Sequence, residues 1–187
     1  TRREVLKRRL DNVDVILNSG YRDFGFEEPT QIVDPFLFVG NYISSISLSK
    51  LRSLGIQNIL NVACNELSED MTVSFSLPHK WPIRVKGVHV DDTESSNLLG
   101  IVAEATFFID TVRRNNQKVL VHCSQGQSRS PAIVLAYLML VHKCPLEVCL
   151  KNVKHCRPCV LPNDGFVRQL MFLESLIILH GSRQSST

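Results

Sequence analysis

No apolar run in this 187-residue chain approaches the roughly 20 residues that a bilayer-spanning helix needs. A signal peptide is not expected either, because the N-terminus is basic and amphipathic rather than apolar. The net charge is only +3, so the chain as a whole has no strong pull toward nucleic acid, and no basic stripe is evident. Arg2, Arg3, Lys7, Arg8 and Arg9 do cluster, but on a helix such a run reads first as a solvated face rather than a docking patch. Repeats, linkers and low-complexity segments are absent. Second pairs of metal ligands are absent too: Cys156-Arg157-Pro158-Cys159, preceded by His155, has the C-x-x-C spacing but nothing comparable to complete a zinc site, so no metal is expected.

The six cysteines (Cys64, Cys123, Cys144, Cys149, Cys156 and Cys159) are an even number, which invites a disulfide reading. The size of the chain and its lack of secretory features argue instead for a reducing compartment, the cytoplasm with the nucleus as a second location. Hydrophobic residues make up 44% and charged residues 21%, enough for one soluble domain with a sizeable core.

Val5, Leu6, Leu10, Val13, Ile16 and Leu17 recur at helical spacing, so residues 4–17 are expected to form an amphipathic helix that Gly20 ends. A polar loop follows, from Tyr21 to Thr30. Two short strands joined at Asp34-Pro35 are expected between Gln31 and Gly40, and a short helix over Ser47–Leu54 stopped by Gly55. Further strands are expected over Ile56–Val62, near Arg84–Val90 and over Lys118–His122, with a polar, turn-rich stretch at 65–82. Helices are expected over Asn97–Arg114, Ser130–Val141, Leu146–His155 and Asp164–Leu179. The Ser130–Val141 helix is apolar on nearly every face and belongs at the centre. Strands alternating with helices predict a single α/β domain: a central, mostly parallel twisted sheet flanked by helices.

The most informative stretch is His122-Cys123-Ser124-Gln125-Gly126-Gln127-Ser128-Arg129-Ser130, between a central strand and the buried helix. A strand running into a tight loop and then a helix N-terminus can turn backbone N–H groups inward and add positive potential. That is a cradle for a phosphate, built from Ser124, Gln125, Gly126, Gln127, Ser128 and Arg129. Gly126 permits the sharp turn, and the planar fork of Arg129 suits two phosphate oxygens at once. Cys123 stands at the start of the loop, where the positive field favours the thiolate, the form that attacks phosphorus. Taken as structure alone, Cys123 would be a buried core thiol and Arg129 a surface residue, and the loop chemistry would go unexplained.

Cys-x5-Arg, with a His before it and a Ser after it, resembles the signature loop of the cysteine-dependent protein tyrosine phosphatases. Ala136-Tyr137-Leu138-Met139 and Pro162-Asn163-Asp164-Gly165-Phe166 resemble its dual-specificity branch, in its small atypical form. The similarity runs from about Gln31 to Leu179. It implies a helical extension over 1–30, a catalytic domain over 31–180 and a flexible tail over 181–187.

The resemblance also implies roles. Cys123 is the nucleophile, and Arg129 with the loop amides binds the phosphoryl oxygens. Ser130 hydrogen-bonds the sulfur and helps it leave. His122 supports the loop from beneath, since neighbours on a strand point to opposite faces, and Asn163 braces it. Family members place a general acid five residues before an Asn-Leu pair. Here that pair is Asn97-Leu98, which selects Asp92, with Asp91 as the alternative. Neither a cofactor nor a metal is required. Phosphorylated proteins are the implied substrates and partners, kinases among the candidates, and a monomer is favoured.

Gln125 is bulkier than the small residue common in the family. Gln127 replaces the lysine that lipid-phosphatase relatives use, and its neutrality argues against phosphoinositides. No tyrosine-recognition loop of the larger enzymes is evident, which implies a shallower pocket open to phosphoserine and phosphothreonine as well. Two alternatives stand beside this reading: a phosphoprotein-binding module like the catalytically dead relatives, although Cys123, Arg129 and Asp92 are all present, and a phosphatase on a non-protein substrate such as a phosphoinositide. Cys64 lies near a position where some relatives carry a thiol that pairs reversibly with the nucleophile. A plain strand-end thiol is the other reading of it.

Overall fold

Parallel strands buried on both faces carry continuous apolar runs, and Val119-Leu120-Val121 is such a run. In the computed structural model, which describes residues 2–18, 27–64 and 82–184, it forms strand β5 (Lys118–His122) at the centre of a five-stranded sheet. The other strands are β1 (Thr30–Val33), β2 (Leu37–Gly40), β3 (Ile56–Asn61) and β4 (Arg84–Gly87), in the order β1-β2-β5-β3-β4. β2, β5, β3 and β4 run parallel, and β1 is antiparallel to β2. The register pairs His122 with both Gly40 and Asn61, and Asn61 with Gly87. The parallel strands therefore end together, and the loops that follow them open on one edge, where α/β sheets place their ligands.

Alternation along the strands divides the interior into two cores. Leu37, Val39, Val119 and Val121 face the larger one, with α4 (Leu99–Arg114), α5 (Arg129–His142), α6 (Leu146–Cys156) and α7 (Asp164–Gln184). Phe38 and Leu120 face the smaller one, with Leu51 of α3 (Leu48–Leu54). α5 is buried at every position from Arg129 to Met139, as its all-round apolarity requires.

α1 (Arg2–Asn18) seats Val13, Ile16 and Leu17 in the larger core. The buried carboxylate of Glu174 in α7 ion-pairs with Arg9 of α1 and accepts from the first amide of α6, that of Leu146, at 3.0 Å. One acid thus ties three helices, and its charge sits at the positive end of α6.

Gly55 stops α3 in the left-handed region, at φ 74°. Several element ends shift by a residue or two, and four elements differ from the sequence reading in a way that local contacts explain or that changes their extent. A short helix α2 (Tyr42–Ile46) was not expected; a capping box between Asn41 and Ser44 forms it, a signal too local for periodicity to reveal. α4 begins at Leu99, because the Asn97 side chain accepts the Gly100 amide (3.1 Å) instead of joining the helix. β4 stops at Gly87, after which the Val88 amide donates to the Asn61 carbonyl (2.9 Å) and His89 forms an isolated bridge with Ala63. α7 continues past Leu179 to Gln184. The expected stop at Gly20, the loop from 21 to 26 and most of the polar stretch at 65–82 lie outside the described residues. No described helix is long and apolar enough to cross a membrane.

Candidate active site

β5 delivers Cys123, 1% exposed, to the mouth of a loop that closes on the N-terminus of α5. The sulfur accepts from the Gly126 amide at 3.2 Å and lies 3.3 Å from the Ser130 hydroxyl. In a trans peptide, each C=O points opposite to the N–H of the next residue. Three loop carbonyls are held by surrounding elements: Ser124 by the Tyr42 amide (3.1 Å), Gly126 by Arg157 Nε (3.0 Å) and Gln127 by the Leu161 amide (2.8 Å). The amides of Gln125, Gln127 and Ser128 therefore turn the other way, into the loop. With the N-terminus of α5 behind them they make an anion cradle.

Gly126 has φ 69°, and a Cβ there would come within 2.5 Å of the Gly40 carbonyl oxygen. The turn needs glycine on both counts. Arg129 is buried beside the cradle, and its Nη2 donates to Ser124 Oγ at 2.9 Å.

The loop from Val90 to Leu98 carries the two candidate acids, and the structure separates them. Asp92 reaches the cradle: its Oδ1 accepts from Ser128 Oγ (2.6 Å) and Asn163 Nδ2 (2.9 Å), and its Oδ2 lies 3.6 Å from Arg129 Nε. Asp91 turns away, 64% exposed, and pairs with His89 Nε2 at 3.3 Å. Asn163 links Asp92, the loop and α7, since its backbone amide also donates to Ser128 Oγ (3.1 Å) and its Oδ1 accepts from the Phe166 amide at the start of α7 (3.0 Å). Next to it, Gly165 has a positional reason: a Cβ there would collide with the backbone of Glu94 in the acid-bearing loop.

His122 is buried under the loop. Burial, opposed only by a hydrogen bond to the Cys123 backbone, pushes its pKa down to about 4, so the imidazole is neutral near pH 7. A neutral, enclosed ring suits support rather than proton transfer. The other expected loop residues, Gly126 and Ser130 excepted, line one cavity of about 740 Å³, with Cys123 and Arg129 among its walls beside Asp92 and Asn163.

Residues 37–175 match the family model described as "Dual specificity phosphatase, catalytic domain". The chain belongs to the dual specificity phosphatase family. Over 154 residues it is 36% identical to dual specificity protein phosphatase 1 of Arabidopsis thaliana, covering 82% of this chain and 72% of that protein. It is 37% identical over 151 residues to human protein phosphatase Slingshot homolog 3, covering 81% of this chain but 21% of that protein's length. The human tyrosine phosphatase-like serine/threonine/tyrosine-interacting protein has the same fold, with a TM-score of 0.67 at 29% identity, covering 81% of this chain and 99% of the other.

Within this dual specificity phosphatase domain, one residue of the site escaped the sequence reading. Arg157, 0% exposed, holds the Gly126 carbonyl through Nε and Thr30 Oγ1 through Nη1 (2.8 Å). Burial lowers its pKa. Its sequence context, a C-x-x-C spacing, drew attention to the cysteines instead. Those sit in unlike surroundings, Cys156 exposed and Cys159 buried, and all six thiols are free. Cys64 packs its sulfur against Gly87, where a side chain would collide with it.

Proposed function

We propose that this chain hydrolyses phosphate monoesters on proteins, phosphotyrosine as well as phosphoserine and phosphothreonine, through a cysteinyl-phosphate. The observation that carries the reading is the position of Cys123 Sγ. It sits at hydrogen-bonding distance from both the Gly126 amide and Ser130 Oγ, at the base of a cradle that Asp92 and Arg129 also reach.

In the first step the Cys123 thiolate attacks phosphorus. The bond from phosphorus to the ester oxygen breaks, and Asp92 gives its proton to the departing hydroxyl. In the second, the Asp92 carboxylate takes a proton from water as that water attacks phosphorus. The S–P bond breaks, inorganic phosphate leaves, and Ser130 hydrogen-bonds the returning thiolate. Throughout, the loop amides and Arg129 hold the equatorial oxygens, where charge accumulates. His122 and Asn163 keep the loop and the acid in place.

Phosphoproteins, kinases among them, are the partners this chemistry would meet. Six free thiols fit a reducing cytoplasm or nucleus, and the reading needs only a monomer.

Hydrolysis of an aryl phosphate by the wild type and by Cys123→Ser, across pH 5 to 8, tests the proposal. The serine variant should lose turnover and keep phosphate binding. Turnover unchanged in Cys123→Ser would refute the mechanism.

A further inference from the structure

The cavity around Cys123 has a wall from outside the family's matched region. Asp14, Leu17 and Asn18 of α1 line it, although the matched domain begins only at residue 37. α1 is not loosely attached. Leu17 and its neighbours Val13 and Ile16 are buried in the core, and Arg9 is paired with buried Glu174. The helix therefore presents Asp14 to the cavity from a fixed position.

The charge of that cavity is uneven. Arg129 is the one cation among its described lining residues, and it belongs to the phosphate cradle. Four carboxylates accompany it: Asp14, Asp92, Glu94 and Asp164. Asp92 is engaged by the loop, and Glu94 shares its charge with Arg168 at 2.8 Å. Asp164 opens α7, where the helix end favours it. Asp14 has no ion pair among the described residues. A substrate with one phosphate would satisfy the floor of this cavity, and positive charge beside that phosphate would satisfy its rim. Additional phosphates would meet carboxylates.

We infer that α1 makes the cleft selective for phosphopeptides that carry a basic residue next to the phosphorylated one, with Asp14 as the main discriminating charge. This rests on the phosphatase reading above and adds the substrate class. The groups are exposed, so the preference acts on encounter and ground-state binding and weakens with salt.

The test compares kcat/KM for three phosphotyrosine peptides, identical except for Lys, Gln or Glu on either side of the phosphotyrosine. An aryl phosphate and an inositol polyphosphate complete the panel. The wild type is measured beside Asp14→Lys, at ionic strengths on the order of 0.02 M and 0.5 M. At low salt the wild type should prefer the Lys peptide over the Glu peptide by about tenfold, and most of that ratio should vanish at high salt. Asp14→Lys should cut the ratio by at least about threefold. Aryl phosphate turnover with equal peptide rates would overturn the selectivity alone, as would a ratio that Asp14→Lys leaves intact. Faster turnover of the inositol polyphosphate than of the Lys peptide would overturn it too. No turnover of the aryl phosphate would remove the phosphatase reading, and this inference with it.

Discussion

Arg157 Nε lies 3.0 Å from the carbonyl oxygen of Gly126, and neither group meets solvent. The bond fixes the peptide that turns the Gln127 amide into the cradle, so a residue at the end of α6 sets the shape of a loop that precedes α5. Arg157→Lys keeps the charge but loses the fork that spans Gly126 and Thr30. We expect kcat/KM on an aryl phosphate to fall by about 10- to 100-fold, since misplacing catalytic groups by even an ångström has effects of that size. Affinity for inorganic phosphate as an inhibitor should fall with it. Weakened catalysis with unchanged phosphate affinity would show that Arg157 acts elsewhere than on the cradle.

Gly165 lets α7 approach the backbone of Glu94, two residues beyond Asp92. Gly165→Ala should push that loop outward and loosen Asp92 from Ser128 and Asn163. Substrates with poor leaving groups need the acid, so they should lose about tenfold more rate than those with good ones. A plot of rate against leaving-group pKa for both proteins reads this out, and parallel lines would discard the link to Asp92.

Buried His122 makes stability depend on pH. Its folded pKa, about 4, lies below the usual value near 6.5 that the unfolded chain keeps. Between those values the unfolded state binds a proton that the folded state refuses, so this contribution is complete above pH 6.5 and is lost as pH falls toward 4. The loss between pH 7.5 and pH 5 should be about 2 kcal/mol. Urea unfolding of the wild type and of His122→Asn at both pH values isolates it: the variant should lose less stability on acidification by about that amount.

Glu174 ties α1, α6 and α7 through Arg9 and the Leu146 amide. Glu174→Ala would leave Arg9 without its partner and the first turn of α6 without its acceptor, at a cost of about 3 kcal/mol. Thermal unfolding should show the loss. If α1 then frays, amide exchange in residues 5–18 should speed up more than exchange in β5.

Local patterns made much of this legible in advance. β5 and α5 were readable because one is short, apolar and β-branched while the other is long and apolar on every face. The loop between them was readable because Cys123, Gly126, Arg129 and Ser130 are few, close together and chemically specific. α2 was not readable, since five residues held by one capping box leave no period to detect. The sequence reading ends α7 at Leu179, the last apolar residue of its period, whereas the helix continues through Gly181 to Gln184.

Sequence by itself determined most of the elements, their alternation and the place of the Cys123–Ser130 loop between β5 and α5, because those depend on neighbours along the chain. Tertiary structure decided the rest. It brought Asp92 rather than Asp91 to the cradle through Ser128 and Asn163, recruited Arg157 from a segment that pointed to its cysteines, and set Asp14 of α1 in the wall of the cleft. The hydrogen bonds among these join residues 31 to 71 positions apart. No local periodicity encodes them; they follow only once the parallel strands end together and the helices close over one face of the sheet.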